Sequence, residues 1–455
     1  LSNKTGMRKF LTFIVATFFC QNFFAQDWTE IIDQPGKNFY DIQNAFNTYW
    51  QDKDINVKGQ GYKQFKRWEH FMEPRVYPSG DITLPSKTWE NYQAFLDENV
   101  QSGNKLTSSS MIASTTWTAM GPFGPMSGLA DNGFPRKAGR DNFVTFHPSI
   151  ANTFWVGSPA GGLWKTTNNG TSWTTTTDNL SVIGCSDLAI DPTTPNTMYL
   201  ATGDGDAGDT RSIGVLKSTD GGATWSPTGL TFNVSQGYLI RRLIINALNP
   251  LVLFAATNGG IYRTINAGAN WTQVSTINAY DIEFMPGSST TLYAGGTSFY
   301  LSTNSGASFT QVSSGIPITG CNRMSVAVTA ANPNYVYVLG SNSSTNGFLG
   351  LYRSVNSGAA FSTMSTAPDV LANACNGTGA GAQGWYDLCL GVSPLNANLI
   401  SVGGVNVWSN NAGGATGSWT CTGCWIGTGP PSSYIHADQH ELEYTSAGVL
   451  YSAND

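Results

Sequence analysis

LKSTDGGATW, residues 216–225, recurs with small changes as WKTTNNGTSW (164–173), YRTINAGANW (262–271), YLSTNSGASF (300–309), YRSVNSGAAF (352–361) and, three residues longer, VWSNNAGGATGSW (407–419). The leading hydroxyl residues are Thr166, Ser218, Thr264, Ser302, Ser354 and Ser409, so successive copies lie 52, 46, 38, 52 and 55 residues apart. That period is the length of a four-stranded propeller blade rather than of a helical repeat. Ahead of each copy runs an alternating strand, a turn and a second apolar strand: 142–158, 186–203, 241–258, 280–296, 324–340 and 386–404. A seventh such phrase, HELEYTSAGVLYSAND, occupies 440–455. The expectation is an all-β, seven-bladed propeller over 117–455, its seventh blade cut short, with the strand around Trp117 completing that blade and removing the exposed edge.

The short repeat has a mechanical reading. In Ser218, Asp220, Gly222 and Trp225 the hydroxyl and carboxylate can accept from nearby main-chain N–H groups, the glycine supplies the positive φ of a tight hairpin, and the aromatic anchors the hairpin in the core. The same roles fall to Thr166, Asn168, Gly170 and Trp173, and to Thr264, Asn266, Gly268 and Trp271. Five copies carry Asn (168, 266, 304, 356 and 411) where one has Asp220. An amide keeps the acceptor oxygen but cannot do a carboxylate's acid–base work, so the position is structural.

The rest of the chain sets limits. With 455 residues, 40% hydrophobic and 11% charged, it buries sizeable cores. A net charge of −6 with 23 Lys and Arg excludes the basic footprint of a nucleic-acid binder. MRKFLTFIVATFFCQNFFAQ, from Met7, has the cations, apolar run and Ala25 of an export signal, expected over 7–25, and no later stretch suits a membrane span. Six cysteines then remain (185, 321, 375, 389, 421 and 424), an even set that permits disulfides in an exported chain; the Cys421/Cys424 pair lacks the second ligand pair of a zinc site. Residues 27–105 hold 21 charges in 79 positions against 28 in the following 350. Phe39, Ile42, Phe46 and Tyr49, then Tyr62, Phe65, Trp68, Phe71 and Met72, then Trp89, Tyr92 and Leu96 recur at helical spacing, so this region is expected to be a small helical unit whose aromatics pack together. A Ser/Thr-rich linker at 106–116 follows.

The repeat resembles the Asp-box, or bacterial neuraminidase repeat, S-x-D-x-G-x-x-W, found in sialidases, two-propeller xyloglucan hydrolases, sortilin-type receptors and a photosystem II assembly propeller. FHPSIANTFWVGSPAGGLWKTT (146–167), ATGDGDAGDT (201–210) and HADQHELEY (436–444) further resemble large secreted propeller proteins of gliding bacteria, many of which use type IX secretion. The resemblance implies a fold and a secreted or surface location. The chain departs from the enzyme members: GRDNFVTF (139–146) stands where sialidases have F-R-I-P, and in SPAGG (158–162) Pro159 occupies the place of the xyloglucan hydrolases' aspartate.

Function is expected on the face opposite the box hairpins, where loops enter the inner strands. Arg140, Asp141, Asp187, Arg241, Arg242, Asp281, Arg323, Asp387, His436, Asp438, His440 and Glu441 fall at or just before those strands. Among them, with Trp385 and Tyr386, the ligand-binding candidates are Arg140, Arg242, Arg323, His436 and His440. His436, Asp438 and His440 have a spacing that suits zinc, although satisfied histidines are the plainer reading. Asp204, Asp206 and Asp209 in GDGDAGDTRS offer hard oxygens of the kind that hold Ca²⁺, with Arg211 nearby to neutralise them. The leading expectation is a monomeric propeller that binds a glycan or protein ligand. The alternative is a glycoside hydrolase, which needs two carboxylates about 5 to 9.5 Å apart; Asp187, Asp281, Asp387 and Glu441 are its candidates.

Overall fold

The computed structural model describes residues 38–57, 61–101, 139–379, 381–426 and 433–455. The expected export signal, the linker and the strand around Trp117 lie outside these. From residue 143 onward the chain is a β-propeller. Each sheet is a simple antiparallel meander whose strands pair in sequence order, and blades 1 to 6 span 143–175, 185–231, 240–275, 281–311, 321–365 and 389–434. Blade 6 carries a fifth, parallel strand, Ser433–Tyr434. Among the described residues the complete blades number six rather than the expected seven. The seventh phrase contributes a two-stranded sheet, Gln439–Tyr444 with Leu450–Asn454, whose inner strand packs between the inner strands of blades 6 and 1.

No blade hides its own apolar side. The cores lie between neighbours: Trp155 and Leu163 of blade 1 share one with Leu188, Leu200 and Leu216 of blade 2, and Tyr199 and Val215 of blade 2 share the next with Leu243 and Leu253 of blade 3. Burial of this kind contributes about 25 cal/mol per Å² of apolar surface, which favours a closed ring over a row of blades with bare ends.

The short repeats close the hairpins as expected. Ser218 Oγ accepts from Gly222 N at 2.9 Å and donates to Asp220 Oδ1 at 2.7 Å, and Asp220 in turn accepts from Thr224 N at 2.9 Å. Thr166 and Thr264 accept from Gly170 N and Gly268 N at 2.9 and 3.1 Å. Gly268 has φ +85°, and a Cβ there would press on Tyr199 of the preceding blade, so both backbone freedom and close approach require glycine. Trp225 and Trp271 pack against the inter-blade cores. Trp173 departs from this pattern: it is 38% exposed and meets Phe154 edge-on at 5.4 Å. The sixth copy is read one residue out of step in the sequence. Asn410 rather than Ser409 pairs with Ile400, the first residue of the second strand, as the leading hydroxyl does in the other copies, and it offers its amide oxygen to Ala412 N and Gly414 N, each at 2.9 Å, while Asn411 is exposed.

Ahead of the propeller stand three helices, α1 (Phe39–Trp50), α2 (Tyr62–Val76) and α3 (Leu84–Gln101). Their aromatics pack on one another: Phe46 stacks on Phe65 at 3.7 Å and Phe39 on Trp68 at 5.3 Å, with Ile42 and Trp50 buried beside them. Phe71 is the exception, about half exposed. The cysteine pairing left open by the sequence is Cys375–Cys424, and Cys185, Cys321, Cys389 and Cys421 are buried thiols. Among the described residues no helix is long and apolar enough to cross a membrane.

Candidate functional site

The inner strands line a cavity of about 310 Å³ along the propeller axis. Four of them bulge at the same place, near the loop-bearing mouth. Cys185 and Asp187 pair with consecutive residues of the second strand, as do Ile240 and Arg242, Cys321 and Arg323, and Gln439 and Glu441. Ser186, Arg241, Asn322 and His440 are the extra residues. A bulge turns its side chains away from strict alternation, and this is how adjacent polar residues come to share one channel.

The charges form two groups. Deeper in the channel, Arg242 lies 2.5 Å from Glu441, 3.2 Å from Glu283, 3.8 Å from Asp187 and 3.9 Å from Asp281. Three of these carboxylates also bond the next inner strand in the ring. Asp187 accepts from Leu243 N at 2.6 Å, Asp281 from Val326 N at 2.8 Å and Ser325 Oγ at 3.0 Å, and Glu441 from Val144 N at 2.7 Å. They are staples between blades, each with at least one oxygen already bonded. Burial, and then the charge of Asp281, hold Glu283 at about 7 against the pull of Arg242, and burial with the Glu441 charge pushes Glu443 up to about 8.

At the mouth, Arg140 pairs with the fully buried Asp204, reaches Asn142 Oδ1 at 2.8 Å and donates to Tyr386 Oη at 3.2 Å. Arg323 meets Asp206 at 3.0 Å and donates to the carbonyl of Tyr386 at 2.7 Å. His440 is held from both sides, Nδ1 by Asp206 at 3.1 Å and Nε2 by Asp455 at 3.0 Å. Burial and Arg140 depress its imidazole, but the two carboxylates prevail and raise it. Burial would raise Asp206; Arg323 and His440 hold it well below the carboxylate range. Trp385 packs at 5.4 Å against Tyr386.

The residues read as metal candidates make other bonds here. His440 has spent both nitrogens, His436 Nδ1 turns to the carbonyl of Ala437 at 3.2 Å, and Asp438 accepts from Gln383 at 2.9 Å, so the three do not share a face. Asp204 and Asp206 are taken by arginines and His440, and Asp209 is 58% exposed. Among the described residues no three or more His, Cys, Asp or Glu side chains are grouped to hold a metal ion.

One catalytic candidate stands apart from the staples. Asp387 is 1% exposed, neither of its oxygens meets a conventional donor, and the carboxyl group of Asp438 faces it. Two carboxyls in contact hold a proton between them. Burial and the Asp438 charge push Asp387 well above the carboxylate range, and burial with the Asp455 charge puts Asp438 at about 6. Asp438 also has φ +64°, outside the region most residues adopt. The strand alternation of DIEF and HELEY carried a signal for Glu283 and Glu443, each two residues beyond a predicted carboxylate and on its face. The role of Asp438 beside Asp387 had no local signal.

With this geometry in hand, the chain can be set beside known proteins. No family model matches it. It is 29% identical over 149 residues to a xyloglucanase of Hypocrea jecorina and 30% identical over 145 residues to one of Paenibacillus sp., which is 30% and 29% of this chain. The matched segments cover 18% and 14% of those relatives. Among solved structures it is similar to the GH74 xyloglucanase of Xanthomonas campestris (TM-score 0.50, 16% identity) and the GH74 enzyme of Niastella koreensis (TM-score 0.50, 19% identity). Each likeness covers 70% of this chain and 51% of that one. The likeness establishes the propeller fold.

Proposed function

We propose that the chain is an exported glycoside hydrolase of xyloglucanase kind that works on a polysaccharide at the loop-bearing mouth of its channel. The observation that carries this reading is the 29–30% identity to two xyloglucanases. The Asp387–Asp438 pair gives it a chemistry. A carboxyl held at about 6 keeps its proton in mildly acidic solution, where an ordinary aspartate has lost it, and can still release it, as a general acid must. In this reading Asp438 protonates the leaving glycosidic oxygen, and the buried Asp387 is the positioning residue that sets its proton affinity. Asp209, raised by partial burial and the Asp204 charge and open to solvent at the same face, is the first carboxylate to test for the second role. Arg140, Arg323, Trp385 and Tyr386 supply donors and ring surface for sugar hydroxyls.

The experiment is release of reducing ends from xyloglucan by the purified chain. Asp438→Asn is expected to lower turnover about 100-fold or more while leaving retention in a xyloglucan-containing gel unchanged. A second reading, a glycan binder without turnover, is favoured by Pro159 in the place of the hydrolases' aspartate and by the stapling of Asp187, Asp281 and Glu441. Retention in the gel with no reducing ends from the unaltered chain decides for the binder.

A further inference from the structure

We propose that the three-helix unit is a cap across the channel mouth, and that the cap and a polymeric ligand exclude one another from the loop-bearing face. The ligand half rests on the glycan reading above; the cap half does not.

The helices touch the ring at separate places. Gln64 of α2 donates to Gln383 Oε1 at 2.9 Å, across 319 residues of sequence, and Gln383 passes the bond on to Asp438 Oδ1 at 2.9 Å. Arg67, one turn along the same helix, faces Asp438 closely enough to lower its proton affinity. Helix α3 runs against the 3-10 turn Val234–Gln236. That turn belongs to the loop between blades 2 and 3, whereas Gln383 precedes blade 6 and Asp438 precedes the two-stranded sheet. These points lie on opposite sides of the ring, so a body that touches all of them spans the opening.

The character of the contacts says what kind of cover this is. The apolar groups of α1 and α2 (Phe39, Ile42, Phe46, Trp50 and Phe65) are turned toward each other, so the unit carries its own core. Its tie to the channel face at Gln64 and Arg67 is made of an amide bridge and a charge, which water can replace. A body with its own core and a polar seat can lift without unfolding. Beneath it lie Gln383 and the Asp438–Asp387 pair, the pair being the groups assigned above to the chemistry. A long glycan reaching them displaces the helices, and its apparent affinity is reduced by the fraction of time the cap is closed.

The test uses the full chain in three forms. One is unaltered; one is opened by Gln64→Glu with Arg67→Glu, which sets two negative charges over Asp438; one is clamped by a bismaleimide bridge between Gln64→Cys and Gln383→Cys, the described native thiols being buried. Hydrogen exchange at 204–206 and 280–283 is expected to quicken in the opened form and slow in the clamped form. Affinity for a xyloglucan oligosaccharide should rise at least threefold in the first and fall at least tenfold in the second, with the unbridged double-cysteine chain as control. Exchange that is the same in all three forms overturns the cap. Equal sugar affinity in all three also overturns it but keeps the glycan reading, whereas exchange that follows the cap with no sugar bound by any form keeps the cap and discards the glycan reading.

Discussion

Asp220 and Asp387 are the same side chain on opposite faces of one propeller. At the hairpin rim Asp220 is exposed, accepts from Thr224 and Ser218, and is held at about 2 by those bonds, those from Thr224 first. At the channel mouth Asp387 is buried, has no conventional donor and is pushed well above the carboxylate range by burial and the Asp438 charge. The rim spends its polar atoms on its own turns, and four other copies carry Asn there (168, 266, 304 and 356) and keep the bond from the leading hydroxyl. The channel gathers more carboxylates than cations and leaves part of that charge unpaired, which costs stability and is the usual mark of a working face.

The comparison can be broken in several places. Arg242→Met should have the largest effect, about 3–5 kcal/mol by urea unfolding, since it strands the carboxylates of Glu441, Glu283, Asp187 and Asp281; a loss under about 1 kcal/mol would mean that the deep group is not an ion cluster. Asp281→Ala removes the acceptor for Val326 N and Ser325 Oγ and is expected to cost about 1–3 kcal/mol. The same cost at an exposed aspartate would remove the distinction between staples and surface charges.

Acidity gives a third handle. Glu443 at about 8, Glu283 at about 7, and Asp438 and Asp141 at about 6, each raised first by burial, bind protons in the fold at pH values where the unfolded chain has released them. Stability therefore falls as pH rises from about 4.5 to about 8. Asp206 and Asp220, both lowered, act in the other direction and lose their contribution as pH falls below about 4. Thermal melts should show a maximum near about pH 5; a flat profile between about 5 and 8 would contradict the raised carboxyls. At the small end, Ser218→Ala should cost about 1 kcal/mol, because its buried hydroxyl accepts from Gly222 N and Asp220 N, and Asp220→Asn, which keeps the acceptor oxygen but not the exposed charge, should lower the melting temperature least of all.

What the sequence made legible follows the same division. The hairpins are local: hydroxyl, acceptor, glycine and aromatic lie within ten residues, and their spacing gives the repeat and the propeller. The sixth copy was misread by one residue because Asn410 replaces a hydroxyl with an amide, a substitution whose sense depends on pairing with Ile400. The channel is non-local. That Asp187 bonds blade 3, and that Glu441 bonds blade 1, depends on neighbours 56 and 297 residues away. The bulges at Ser186, Arg241, Asn322 and His440 are properties of a strand pair, so alternation within one strand could list the charged ring but not sort staples from the acid pair.

Turnover of xyloglucan by Asp438→Asn and Asp220→Asn, assayed side by side with the unaltered chain, tests most directly the claim that the channel mouth works and the hairpin rim only holds. The account predicts loss of turnover in the first and an unchanged rate in the second. Equal rates in all three chains would contradict it.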